Sequence, residues 1–214
     1  MFSGPSANTG TVDMVMLYIV GISVILLLGI TAVMIYFVFK YNRKKGHEPK
    51  DIHGNIWLEI LWITIPTLLV LTMFYFGYEG FNAMRTIPDN AMEVDVTARM
   101  WEWKFQYDNG KVSDTLYVPV GQPVELIMQS MDVNHSLYIP AFRMKEDVIA
   151  GITNHLGFTA DKEGVYLITC AEFCGLDHSN MYSAVKAIPQ AEFDTWIKNI
   201  DEGKVVKTVS DEAK

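Results

Sequence analysis

Two long apolar stretches do more than any other feature to limit what this chain can become. Met14 to Phe39 carries no charged residue, and Ile56 to Tyr78 carries only Glu59. A helix that crosses a bilayer needs roughly 20 apolar residues, and both stretches are long enough. Core helices of a soluble protein would show a polar face, which neither stretch has. The first stretch is too long for the apolar core of a cleaved signal peptide, and no Lys or Arg precedes it. It is therefore expected to be a retained helix.

Between the stretches lie Lys40, Arg43, Lys44, Lys45 and Lys50. A basic loop of this kind marks the cytoplasmic side of a membrane. Two spans joined by an inner loop put both termini outside. The expected layout is an outer segment 1–13, spans 14–39 and 56–79, a basic loop 40–55, a linker 80–90, an outer domain 91–200 and a polar tail 201–214. From residue 80 onward there are 20 Asp and Glu against 12 Lys and Arg, which accounts for the whole formal charge of −8. An acidic surface suits a basic partner and speeds its arrival, and it also serves plain solubility. Nucleic acid is not among the expected partners.

After the turn Ile87-Pro88-Asp89-Asn90 come short β-type runs separated by turn residues. They are 93–97, 104–107, 116–120, 124–128, 136–139, 155–159, 165–169 and 182–187. Many short strands at this spacing predict a β-sandwich or barrel. One amphipathic helix is expected over Ala191 to Ile200.

The chain's only two cysteines, Cys170 and Cys174, stand in one short segment with His178 and Met181. On their own, two cysteines in an oxidising compartment favour a disulfide. Soft and borderline donors at spacings of four, four and three instead favour copper or zinc. His135 also precedes a strand and can reach the same end of the domain. Two thiolates, two imidazoles and a thioether exceed a closed zinc tetrahedron. A mononuclear blue-copper site needs only one Cys. Two bridging thiolates can instead hold two copper ions, with one His on each. Met181 and the backbone carbonyl of Glu172 are then weak outer ligands. His47 and His155 have no such company and are read as structural.

The pattern Cys170-x-Glu172-x-Cys174-Gly175-x-x-His178-x-x-Met181, with Asp132-Val133-Asn134-His135-Ser136 upstream, resembles subunit II of the haem–copper cytochrome c oxidases. The resemblance runs from the first apolar stretch to about residue 200. It implies a two-helix transmembrane hairpin followed by an all-β cupredoxin-like Greek-key domain. It implies a dinuclear CuA centre on His135, Cys170, Glu172 through its carbonyl, Cys174, His178 and Met181. Such a subunit takes electrons from cytochrome c or a similar donor and passes them to haem in subunit I, where oxygen is reduced to water. The whole complex is a proton-translocating enzyme in a bacterial plasma membrane or mitochondrial inner membrane, with further subunits and lipid around it. This chain alone has no oxygen site and too few helices to bury haems.

Further residues follow from the resemblance. Trp101, in Trp101-Glu102-Trp103, maps to the point where electrons enter, whereas Trp103 suits core packing. Glu102 stands where the family usually has an aromatic residue. Glu59, Trp62 and Pro66 match a motif whose carboxylate marks the mouth of a proton channel. A carboxylate in an apolar span is costly and by default functional, although one near a helix end can also snorkel to water. The Glu172 carboxylate maps to a ligand of Mg²⁺ or Mn²⁺ at the border with subunit I. Lys145-Glu146-Asp147 resembles the segment that supplies Asp147 there, although Ala150 replaces the usual proline. The chain has no Cys-x-x-Cys-His and so no covalent haem motif. Two alternatives remain: the CuA subunit of a nitric oxide reductase, and a membrane-anchored copper-binding module without redox duty.

Overall fold

A computed structural model describes residues 4–46, 51 and 53–199. His47 and the rest of the basic loop to Lys50, Ile200 and the tail 201–214 lie outside the described residues. The chain forms two compact units, Thr11–Phe81 and a larger one that joins the N-terminal segment to everything from Asn82 onward.

The smaller unit is a pair of long helices, α1 (Thr9–Lys40) and α2 (Ile56–Arg85). Their most apolar windows have mean hydropathies of 2.7 and 1.9, and neither window is buried within the protein. Side chains of this kind need lipid or other helices around them. Three hydroxyls inside the spans bond to their own helices. Ser23 donates to the Ile19 carbonyl, Thr67 to Ile63 and Thr72 to Leu69, at 2.7–2.8 Å. A polar contact joins the helices, Tyr18 Oη to Thr72 Oγ1 at 2.6 Å, beside an edge-on contact of Tyr18 with Phe76. Lys40 lies over the rings of Tyr36 and Tyr41, the aromatic and basic pairing typical of a membrane interface. Asn55 caps α2 by accepting from the N–H groups of Trp57 and Leu58.

The larger unit is a sandwich of two five-stranded sheets. Its strands are β1 (Met92–Arg99), β2 (Glu102–Tyr107), β3 (Val112–Ser113), β4 (Leu116–Pro119), β5 (Pro123–Ser130), β6 (His135–Ile139), β7 (Met144–Val148), β8 (Asn154–Thr159), β9 (Gly164–Cys170) and β10 (Tyr182–Ile188). One sheet has the order β3-β2-β1-β5-β8 and the other β4-β10-β9-β6-β7. Most neighbours are antiparallel, but β1 with β5 and β4 with β10 run parallel, which requires chain crossings between the sheets. This is the cupredoxin-like architecture expected. Alternate residues enter the core: Val94, Val96 and Ala98 on β1, Trp103, Phe105 and Tyr107 on β2, Val124, Leu126 and Met128 on β5. A short helix, α3 (Gln190–Lys198), seats Phe193 and Trp196 against Tyr107 and Tyr117.

Two strands go beyond the expected set. β3 has only two residues. β7 reads Met-Lys-Glu-Asp-Val and lies at a sheet edge, where charged residues discourage further pairing. Only Met144 and Val148 of β7 are buried, so its sequence hides the apolar alternation of a strand.

Candidate metal centre

The backbone brings the soft donors to one end of the sandwich. β9 ends at Cys170, and the N–H of Cys170 donates to the Met181 carbonyl at 3.2 Å, closing the base of the loop 171–181. The neighbouring strand β6 pairs with β9 through Leu137 opposite Cys170, so His135, first residue of β6, stands beside the loop. The N–H of Ala171 donates to the Ser136 carbonyl at 2.9 Å and fixes that register. Inside the loop, a 3₁₀ turn at His178–Asn180 returns the chain toward the pocket.

All six residues named as copper ligands meet there. The sulfurs of Cys170 and Cys174 lie 3.8 Å apart, and both thiols are free. A disulfide would need about 2.05 Å. Each sulfur has its own imidazole: His135 Nδ1 is 3.9 Å from Cys170, and His178 Nδ1 is 3.5 Å from Cys174. The Met181 thioether lies 3.8 Å from the Cys174 sulfur, and the Glu172 carbonyl accepts from the Cys170 thiol at 3.3 Å. His135, Cys170, Cys174 and Met181 are buried, and His178 is half-buried under Phe173.

Two electrostatic effects act on this cluster. Burial, and then the neighbouring Cys170, push the Cys174 thiol up from 9.0 to about 12. In the metal-free protein that thiol is neutral, and a metal must displace its proton. Asp132 Oδ1 accepts from His135 Nε2 at 2.8 Å. With the proton on Nε2, the lone pair of Nδ1 faces the sulfurs, which is the tautomer a metal requires. Burial alone would raise the Asp132 carboxyl. The hydrogen bonds from His135 and from the N–H groups of Met100 and Val133 outweigh it and hold the carboxyl below its usual range. Reduced, buried thiols paired with separate imidazoles and a thioether suit copper in a way that hard cations do not match.

Other expected site residues fall at different places. Trp101 is 36% exposed and borders the metal loop: a Cβ on Gly175 would stand 3.3 Å from its indole Nε1 and Cζ2. Gly175 has φ +123°, so a side chain there is opposed by backbone and neighbour alike. Trp103 is fully buried and meets His135 edge-on. Glu102 is tied to Arg99 and Lys104, which leaves its charge locally compensated. The side chain of Glu172 belongs to an exposed residue while its carbonyl faces the pocket. Asp147 is half-exposed on β7, opposite Ser136, and lies 3.8 Å from Lys145. Glu59 lies in the first turn of α2, sharing a helix face with Trp62 and Pro66 at spacings of three and seven. His155 pairs with Glu125 at 2.8 Å, away from the metal loop.

Asp132 and Gly175 stand in the two sequence motifs without a role assigned to them, and Met100 stands in neither. Asp132 opens the upstream motif three residues before His135, and that place is its signal in the sequence.

Fold and donors together define a class: a membrane-anchored, cupredoxin-like protein with a cluster of two thiols and two imidazoles able to hold a soft metal. Comparison with known families narrows it. The transmembrane domain of cytochrome c oxidase subunit II matches residues 3–79, and its periplasmic domain matches residues 73–188. The chain belongs to the cytochrome c oxidase subunit II family. A cytochrome c oxidase subunit 2 of Alkalihalophilus pseudofirmus is 34% identical over 194 residues, covering 85% of this chain and 57% of that one. This chain thus spans little more than half the length of that relative. One from Synechocystis is 30% identical over 242 residues, covering 90% and 73%. The crystal structure of the periplasmic domain of subunit II of cytochrome oxidase from Bradyrhizobium japonicum superposes with a TM-score of 0.51 and 29% identity. It covers 55% of this chain and 98% of that domain.

Proposed function

We propose that this chain is the subunit through which electrons enter a terminal oxidase, on their way from a cytochrome c-type donor to haem in subunit I. The observation that carries the reading is the pairing of each buried thiol with its own imidazole, around sulfurs 3.8 Å apart. His135, Cys170, Cys174, His178, Met181 and the Glu172 carbonyl would hold two copper ions as a CuA centre. Copper so bound supplies one-electron redox chemistry with the odd electron spread over two metals.

The remaining roles belong to the chain's own residues. Asp132 orients His135, and Trp103 walls that imidazole from water. Trp101 offers an exposed indole next to the Cys174–Gly175 segment, a short path for an electron arriving from outside. The acidic outer domain favours a basic donor. In this reading the chain crosses the membrane twice, with the basic loop on the cytoplasmic side and the copper domain on the periplasmic or intermembrane side. Glu59 then sits at the inner end of α2, at the mouth of a proton path shared with subunit I. The Glu172 carboxylate, with Asp147 near the same corner of the sheet, is offered to Mg²⁺ or Mn²⁺ at that subunit's border.

The test is to reduce the full chain in detergent, add copper and record optical and electron-spin spectra. A purple species with one electron shared by two copper nuclei is the expected result. A mononuclear signal, or no copper uptake by reduced protein, would remove the reading. In the assembled oxidase, Glu59→Ala is expected to slow oxygen turnover while the copper spectrum stays as it was. A changed spectrum would mean that Glu59 acts on the metal domain instead.

A further inference from the structure

The donors His135, Cys170, Cys174 and Met181 are at most 8% exposed. Copper must therefore enter past the rim of the pocket. At that rim stands Met100, 45% exposed. Its Sδ lies 3.6 Å from where a Cβ on Gly175 would stand, and Gly175 directly follows Cys174. The Met100 N–H donates to Asp132 Oδ2 at 2.7 Å, the carboxylate whose other oxygen holds His135. Met100 is thus anchored by its backbone to the metal site and open to solvent by its side chain. A thioether is a soft, neutral donor that takes Cu(I) and ignores the hard cations abundant around any cell. It is also unbranched and flexible enough to swing between solvent and the loop.

We propose that Met100 is an outer capture site for Cu(I), which hands the metal inward to Cys174. The step rests on the copper reading of the pocket and is a ligand exchange. The Met100 sulfur–copper bond breaks as the Cys174 sulfur–copper bond forms. The Cys174 proton leaves to solvent, copper stays Cu(I), and no electron moves. Met100 then holds no copper in the finished centre. Its role is kinetic, which separates it from Met181 in the pocket wall.

The experiment follows transfer of copper from Cu(I)–bicinchoninate to the full chain in detergent, with thiols reduced and oxygen excluded. Loss of the chelate colour gives the rate, the final amount and the affinity. Met100→Leu keeps the volume and removes the sulfur. It is expected to load several-fold more slowly, to the same final amount and affinity as the natural chain. Met131→Leu, which removes a thioether that is 55% exposed, is expected to load at the natural rate. Equal rates for Met100→Leu and the natural chain would overturn the proposal. So would a lower final amount or affinity, which would make Met100 a resident ligand. Equal slowing by Met131→Leu would also overturn it, since capture would then need no particular thioether. A natural chain that takes up no copper would fail the copper reading itself, a distinct result.

Discussion

Replacing Cys174 with serine is expected to abolish the two-copper signal, leaving at most one weakly held ion. Cys174 touches three of the other donors, and it alone of the two thiols reaches both His178 and Met181. It lies 3.8 Å from the Cys170 sulfur, 3.5 Å from His178 and 3.8 Å from the Met181 sulfur. Serine keeps the size but offers a hard, poorly acidic oxygen in place of a soft thiolate. His178 and Met181 would then lose their shared neighbour, while His135 and Cys170 keep each other. Metal titration with electron-spin detection checks this, and an intact mixed-valence signal in Cys174→Ser would contradict the shared-thiolate arrangement. The same residue sets a pH dependence in the metal-free chain. Its raised value means that the folded state holds the thiol proton more tightly than the unfolded state. The stability this gives is full below 9.0 and is lost as pH rises toward about 12. Chemical denaturation across that window should show the metal-free Cys174→Ser variant losing less stability with alkali than the natural chain.

The soft-donor cluster and both helices were legible in the sequence because each leaves a local signature. Long apolar runs without a polar face leave few uses besides a membrane span, and two thiols, an imidazole and a thioether within twelve residues leave few readings. Strands with apolar alternation, such as Val124 to Met128, were equally plain. β7 was not, because three of its five residues are charged, and its strand character comes from the ladder with β6. Contacts between distant segments also left no trace. Nothing in Met100-Trp101 or in Gly175 announces that they touch, since that contact exists only once β1 and the metal loop reach the same end of the sandwich. The two cysteines alone favoured a disulfide and the added His178 and Met181 favoured a metal, and the side-chain geometry supports the second reading. Each sulfur faces an imidazole, which a disulfide would not require.

Asp132→Ala is expected to weaken copper binding by about 10–100-fold, the usual cost of removing the group that orients a ligating histidine. Asp132 Oδ1 accepts from His135 Nε2 at 2.8 Å and from the Val133 N–H at 2.6 Å, while Oδ2 accepts from the Met100 N–H at 2.7 Å. Without the carboxylate, the His135 proton is free to move to Nδ1, the nitrogen that must face copper. Two N–H groups also lose their acceptor, at a cost of about 1–3 kcal/mol for each that stays dry. Fold and metal effects separate by measurement. Thermal unfolding of the metal-free variant reports the lost hydrogen bonds, and chelator competition on folded protein reports the affinity. Asp132→Asn keeps one carbonyl oxygen, which can still accept from His135, and should recover much of the affinity. The acid sensitivity of the natural chain gives an independent reading. A carboxyl held below its usual 3.8 stabilises the fold fully above that value and loses this effect as pH falls through the depressed one. Asp132→Asn should therefore lose less stability in that acid range. Unchanged copper affinity in Asp132→Ala would show that burial beside Trp103 alone fixes the His135 ring, and would leave Asp132 only the task of holding Met100 and Val133.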